Sequence, residues 1–168
     1  MSSNRRRVLA VGSLLVVGGA VVAFVLAREP MSPLTLEALE AARTKWRQTG
    51  ITNYELTYDM AGGTYNVRVR AGRVMTLTRD GEPTTSHRPT DFTVDGLFNT
   101  LERELDLLDD PNSPFGGDRS TILLRVQFDQ ERGYVSRYLR AVGGSGRSEK
   151  IQVQHFAPLP PTDDVAAR

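Results

Sequence analysis

The side chains with most chemical potential in this sequence are arginines on strand-like runs. Arg68 and Arg70 alternate with Val67 and Val69. A strand that buries its valines must turn these arginines to the opposite face. Arg125 sits between Leu124 and Val126 in the same way, and Arg140 falls on the polar side of the run "YVSRYLRAV". Arg68, Arg70, Arg125 and Arg140 therefore define a candidate partner surface, a cationic sheet face suited to an acidic or extended partner. The plainer reading is a solubilising face, with Glu55 opposite Arg68 and partly neutralising it.

Other chemistry is sparse. His87 lies in a Pro/Thr-rich stretch and His155 in a strand-like one, and neither has a partner at metal-ligand spacing. Glu102, Asp106 and Asp109 or Asp110 recur at helical spacing opposite a leucine stripe, which reads as a solvated face. Asp110, Asn112 and Gly116 match part of a calcium loop, but Pro114 and Thr121 stand where ligands are required. No nucleophile elbow, zinc-protease or phosphate-loop motif occurs. Cysteine is absent, which excludes a thiol nucleophile, a disulfide and a Cys-ligated metal. The expectation is a protein without catalytic, cofactor or metal sites.

These arginines need elements to hold them. In "TLEALEAARTKWRQTG", Thr35 suits an N-cap, Gly50 suits C′, and Leu36, Leu39, Ala42 and Trp46 fall on one helix face. Next the period changes to two. Tyr54, Leu56 and Tyr58, then Tyr65, Val67 and Val69, predict two strands with a turn over 59–64. Ala71-Gly72 turns the chain into a third, where a bulge at Gly72 places Met75 and Leu77 inward. Val94, Leu97, Phe98, Leu101, Leu105 and Leu108 give the clearest helical stripe, capped by Thr93 or Asp91. Three further strands follow, around Ile122–Phe128, "YVSRYLRAV" and "EKIQVQHF". The expected fold class is α+β: an N-terminal transmembrane helix, then one domain of order αβββαβββ, an antiparallel sheet with two helices on one face.

The transmembrane expectation rests on residues 8–27, which hold twenty uncharged residues after Arg5, Arg6 and Arg7. A hydrocarbon core about 30 Å thick needs roughly twenty helical residues. Val25-Leu26-Ala27 also fits a signal cleavage site, so cleavage after Ala27 stands as an alternative. The arginine flank keeps the N-terminus cytoplasmic. The divisions are a basic flank at 1–7, a signal anchor at 8–27, a linker at 28–34, an extracytoplasmic domain at 35–157 and a loose tail at 158–168. Without residues 1–27 the chain carries 18 basic and 20 acidic side chains, net −2, which argues against nucleic acid.

"ARTKWRQTGITNYELTY", "VRVRAGRVMTL", "FTVDGLFNTLE", "VQFDQERGY" and "IQVQHFAPL" follow one another in order. Over about residues 38–159 this series resembles a bacterial family of exported or lipoprotein domains, a domain of unknown function. Many members carry cysteines in the first hairpin loop, where this chain has "DMAGGT". The resemblance transfers no functional residue. The expected function is a non-catalytic, membrane-anchored binding or envelope-associated module on the extracytoplasmic side of a bacterial membrane, with another envelope protein as partner. The alternatives are an inhibitor-like module that uses the exposed sheet face, and a hydrolase-type enzyme.

Overall fold

The computed structural model describes residues 30–110, 122–143 and 148–161. From Met31 onward they belong to one compact unit. Helix α1 (Leu36–Gln48) starts where the extended Thr35 accepts the Ala38 N–H at 3.2 Å, and Gly50 follows its end at φ +63°. A side-chain cap of this kind is worth about 1 kcal/mol. The buried stripe is Leu39, Ala42, Arg43 and Trp46. Leu36 was expected in it but is 59% exposed, because it occupies the first helical position and points away. Helix α2 (Val94–Asp109) is capped by Thr93, whose Oγ1 accepts the Gly96 N–H at 3.1 Å. Val94, Leu97, Phe98 and Leu101 are buried, while Leu105 and Leu108 are half-buried beside them. A short 3-10 helix (Pro89–Phe92) leads into α2, and Gly96 lies so close that a Cβ would stand 2.2 Å from the Thr90 carbonyl oxygen.

The strands are β1 (Ser32–Pro33), β2 (Tyr54–Met60), β3 (Gly63–Arg70), β4 (Arg73–Arg79), β5 (Glu82–Pro83), β6 (Ile122–Phe128), β7 (Val135–Val142) and β8 (Ser148–Pro158). They form one antiparallel sheet in the order β1-β6-β7-β8-β2-β3-β4-β5. The second meander thus precedes the first in space, and the last strand joins them by pairing with β2. Inward residues of the strands and the buried faces of both helices share one core. Both helices therefore lie on the same side of the sheet, and the other side is open.

The structure corrects the expected fold class. The order αβββαβββ behind a transmembrane helix gives way to a mostly antiparallel eight-stranded sheet with two helices. The two added strands, β1 and β5, are two residues long and contain proline, so they carry no alternating pattern to read. No helix among the described residues is long and apolar enough to cross a membrane. The expected span, residues 8–27, lies outside the described residues, as do most of the calcium-like loop and the end of the tail.

The bulge also moves. Ala71 and Gly72 both have positive φ, +47° and +73°, and make a plain two-residue turn. Val74 then pairs with Val69 and Thr76 with Arg68, so Met75 is the extra residue and is 63% exposed. The bulge turns both Val74 and Leu77 inward. The first hairpin turn is likewise tighter than expected, at Ala61-Gly62, and β2 and β3 run longer.

Leu101 is fully buried between α2 and the sheet. Leu101→Ala is expected to lower unfolding stability by about 2–5 kcal/mol, the range for removing a buried leucine and leaving a cavity. Urea titration followed by tryptophan fluorescence measures it, since Trp46 lies in the same core.

Candidate interaction face

The open side of the sheet is built in rows set by the strand register. One row holds His155, Thr57, Asn66 and Thr78 across β8, β2, β3 and β4. Thr57 Oγ1 donates to Asn66 Oδ1 at 2.9 Å, and Asn66 Nδ2 donates to Thr78 Oγ1 at 3.3 Å. The next row holds Ala157, Glu55, Arg68 and Thr76. Arg68 Nε donates to Glu55 Oε1 at 2.7 Å. A third row brings Gln152 beside Asp59 and Thr64. Asp59 accepts from Thr64 Oγ1 and from Gln154 Nε2, both at 2.7 Å, and these bonds hold its carboxyl below the usual carboxylate range. The first two rows frame a shallow depression of about 370 Å³. Its lining combines Leu56 and Val67 with the hydrogen-bonded Thr57, Asn66 and Thr78 and the Glu55–Arg68 pair.

Three of the four candidate arginines lie on this open side. Arg68 is exposed and paired with Glu55. Arg70 Nη1 donates to the Pro160 carbonyl at 2.6 Å and ties the chain's later part to the sheet. Arg125 Nη1 donates to the Met31 carbonyl at 3.3 Å and ties down the strap before α1. Arg140 is on the helix side, contrary to expectation. It lies in line with the buried Tyr138, and its Nη1 meets Glu104 of α2 at 2.8 Å while Nη2 meets Glu149 at 2.6 Å. A bulge at Ser136 causes the change: Phe128 pairs with Val135 and Gln127 with Arg137, so Val135, Tyr138 and Arg140 all turn inward.

The side chains that sequence reasoning missed are therefore Arg137 and Lys150, which the register places outward. Tyr138 and Leu139 are adjacent and both apolar, so alternation alone does not say which is inside. Arg43 was missed as well. It is buried in α1 against Phe98 and bridges Glu40 at 2.9 Å and Glu102 at 3.0 Å, binding the two helices. His87 and His155 are both exposed, one in a loop and one on β8, and neither imidazole forms a hydrogen bond or ion pair among the described residues. No three metal-ligating side chains converge among those residues.

Tyrosine hydroxyls mark the covered side. The Tyr54 hydroxyl accepts the Val94 N–H at 3.1 Å, and burial pushes its pKa up to about 12. Burial does the same for Tyr134, also to about 12. Tyr138 is raised further, first by burial and then by the negative charge of Glu104.

Residues 38–110 match the model of DUF6174, a family of unknown function. No curated protein and no solved structure matches the chain. The matched stretch runs from within α1 to just past α2. It contains Arg68, Arg70 and most of the hydroxyl rows, and it ends before β8, the strand that pairs with β2.

Two predictions separate the covered side from the open one. Arg140 and Glu104 have side chains only 16% and 12% exposed, so Arg140→Ala leaves a half-buried carboxylate without its partner and is expected to cost about 1–3 kcal/mol. Arg68→Ala on the open side should change stability by no more than about 0.5 kcal/mol. Parallel denaturant melts compare them. The tyrosines give a pH signature. Their protons bind more tightly in the folded chain than in the unfolded one, where phenols titrate near 10. Their contribution to stability is full below pH about 10 and is lost as pH rises toward about 12. Tyr54→Phe should flatten this alkaline decline in a melting-temperature series.

Proposed function

We propose that this chain is a non-catalytic binding module of the bacterial envelope, belonging to an exported family and tethered to the membrane through residues 8–27. In this reading the domain lies on the extracytoplasmic side and receives a partner protein on its open sheet face. One observation carries the proposal: the sheet leaves a face available and closes its edges. β1 and β5 are both Xaa-Pro pairs at the two ends of the strand order. Proline has no N–H to give a further strand, and very short strands discourage edge pairing. The exposed Met75 bulge disrupts β4 before β5 begins. Recruitment by strand addition is thereby disfavoured, and a partner is left with the face. Sequence supports the tether through the arginine flank and the uncharged run after it. An inhibitor-like action, covering another protein's site with this face, draws on the same observation.

Thr78→Arg with Arg68→Glu alters the middle of the face and touches no buried group. The double variant is expected to melt within about 1 kcal/mol of wild type, the cost of a like-charge pair with Glu55. It should fail to complement a deletion strain. Full complementation by a stably folded double variant would refute the proposal.

A further inference from the structure

We infer that the β6–β8 half of the open face rests on an anionic phospholipid surface. The inference shares the tether with the proposed function and concerns the half of the face that the hydroxyl rows do not occupy. Register sets the composition of this half. Arg125, Leu139 and Lys150 stand in one row, and Gln127, Arg137 and Gln152 in the next, with Leu123 beside Ala141 at the end. Leu123 is 45% exposed. The patch is thus three cations interleaved with aliphatic side chains, a composition that suits the boundary between headgroups and acyl chains.

The charge of these cations is not neutralised among the described residues, as that of several other arginines is. Arg43, Arg68, Arg132 and Arg140 each meet a carboxylate. Arg125, Arg137 and Lys150 meet none among the described residues. The nearest acids in the chain are engaged elsewhere. Asp59, which continues the Arg137–Gln152 row onto β2, accepts from Thr64 and Gln154, Asp129 accepts the N–H groups of Glu131 and Arg132, Glu131 pairs with Arg132, and Glu149 lies on the helix side with Arg140. The helix layer exposes acids at Glu37, Asp95 and Asp106. A domain that is net negative by sequence carries a positive patch on the open side, and an anionic plane orients such a molecule.

Two features favour lipid over an acidic protein segment. Arg125, Arg137 and Lys150 are spread over three strands, with Arg125 and Lys150 about 10 Å apart across Leu139, so they present a plane of charge to a plane of phosphates. The half-face also borders β1, which begins only five residues after the uncharged run ends at Ala27. That length of chain spans at most about 18 Å. Each cation near an anionic surface strengthens binding about fivefold, and three together on the order of a hundredfold. Such weak binding suffices when a tether supplies a high local concentration.

The absence of cysteine makes the test direct, because a single introduced thiol can be labelled. An environment-sensitive fluorophore is attached at Ala141→Cys, and in a second protein at Thr78→Cys, both in the full chain. Each is mixed with vesicles of phosphatidylcholine alone or of phosphatidylcholine with phosphatidylglycerol. The expected result is a blue shift at position 141 on the mixed vesicles only, reversed by salt, with position 78 remaining solvent-like. Arg125→Gln with Arg137→Gln should weaken the response roughly thirtyfold. Solvent-like emission at 141 on mixed vesicles, or an equal shift on both compositions, would overturn the inference. The same shift with soluble polyglutamate would also overturn it, by reassigning the patch to an acidic protein. A silent probe at 141 beside failed complementation by the Thr78/Arg68 variant sinks this inference alone. A responding probe beside full complementation sinks the partner-docking reading alone.

Discussion

The fold depends on the pairing of β8 with β2. These strands lie about a hundred residues apart in sequence, yet they meet along nearly the whole of β2, from Tyr54 opposite Pro158 to Met60 opposite Ile151. Phe156 sits at the centre of an aromatic cluster on this seam. Its ring packs 5.7 Å from Trp46, 5.5 Å from Tyr54 and 4.7 Å from Tyr134, between centroids. Three elements of different origin, α1, β2 and the β6–β7 turn, are thus fastened by one residue of the last strand. Without β8 the first meander ends in the bare edge of β2, rich in tyrosine and leucine, and the two helices lose the continuous surface they share. A contact of such sequence separation is entropically expensive to close. Both halves must be substantially formed before the seam repays that cost.

Around this seam, charged residues fix how the helix layer sits. Arg43 joins α1 to α2 through Glu40 and Glu102, and Arg140 joins α2 to β7 and β8 through Glu104 and Glu149. Both guanidiniums are largely removed from solvent. Such pairs add little net stability, since desolvation offsets their attraction, but leaving one partner alone is costly. They therefore reject other placements of the helices more than they strengthen this one. The β6–β7 turn is held by shape as well. Gly133 has φ +82°, and a Cβ there would stand 2.5 Å from the Ala42 carbonyl oxygen, so the turn packs directly on α1.

Local chemistry was legible in the sequence and parity was not. Thr35 and Thr93 announced the helix starts, and the stripe from Val94 to Leu101 announced what α2 buries. Strand alternation placed Tyr54, Leu56, Tyr58, Val67 and Val69 inside. Alternation failed wherever a strand carries an extra residue. Among the described residues bulges occur at Met75, Ser136 and Gln154. Each lies between two inward apolar residues three apart: Val74 and Leu77, Val135 and Tyr138, Val153 and Phe156. A strict period of two cannot bury both members of such a pair. Apolar spacing of three inside a strand-like run was thus the available signal, and it would have turned Arg140 inward and Arg137 outward. The edge strands left no such trace. Two residues are too few for a pattern, and their pairing depends on where distant strands end.

The same bulges decide what the open face presents. On the β2–β4 side the outward residues are mainly threonine, asparagine and the hydrogen-bonded Glu55–Arg68 pair, with Asp59 and Arg70 at either end. On the β6–β8 side the Ser136 bulge delivers Arg137 beside Arg125 and Lys150, with no acid among them. The seam between β8 and β2 is therefore also a boundary between two kinds of surface. It nearly coincides with the limit of the stretch that matches DUF6174, since residues 38–110 carry the β2–β4 half and stop short of the cationic one. A repeat of similar meanders is a simple way to build a wide sheet. Because each half chooses its own outward residues, one continuous face is able to serve two different neighbours.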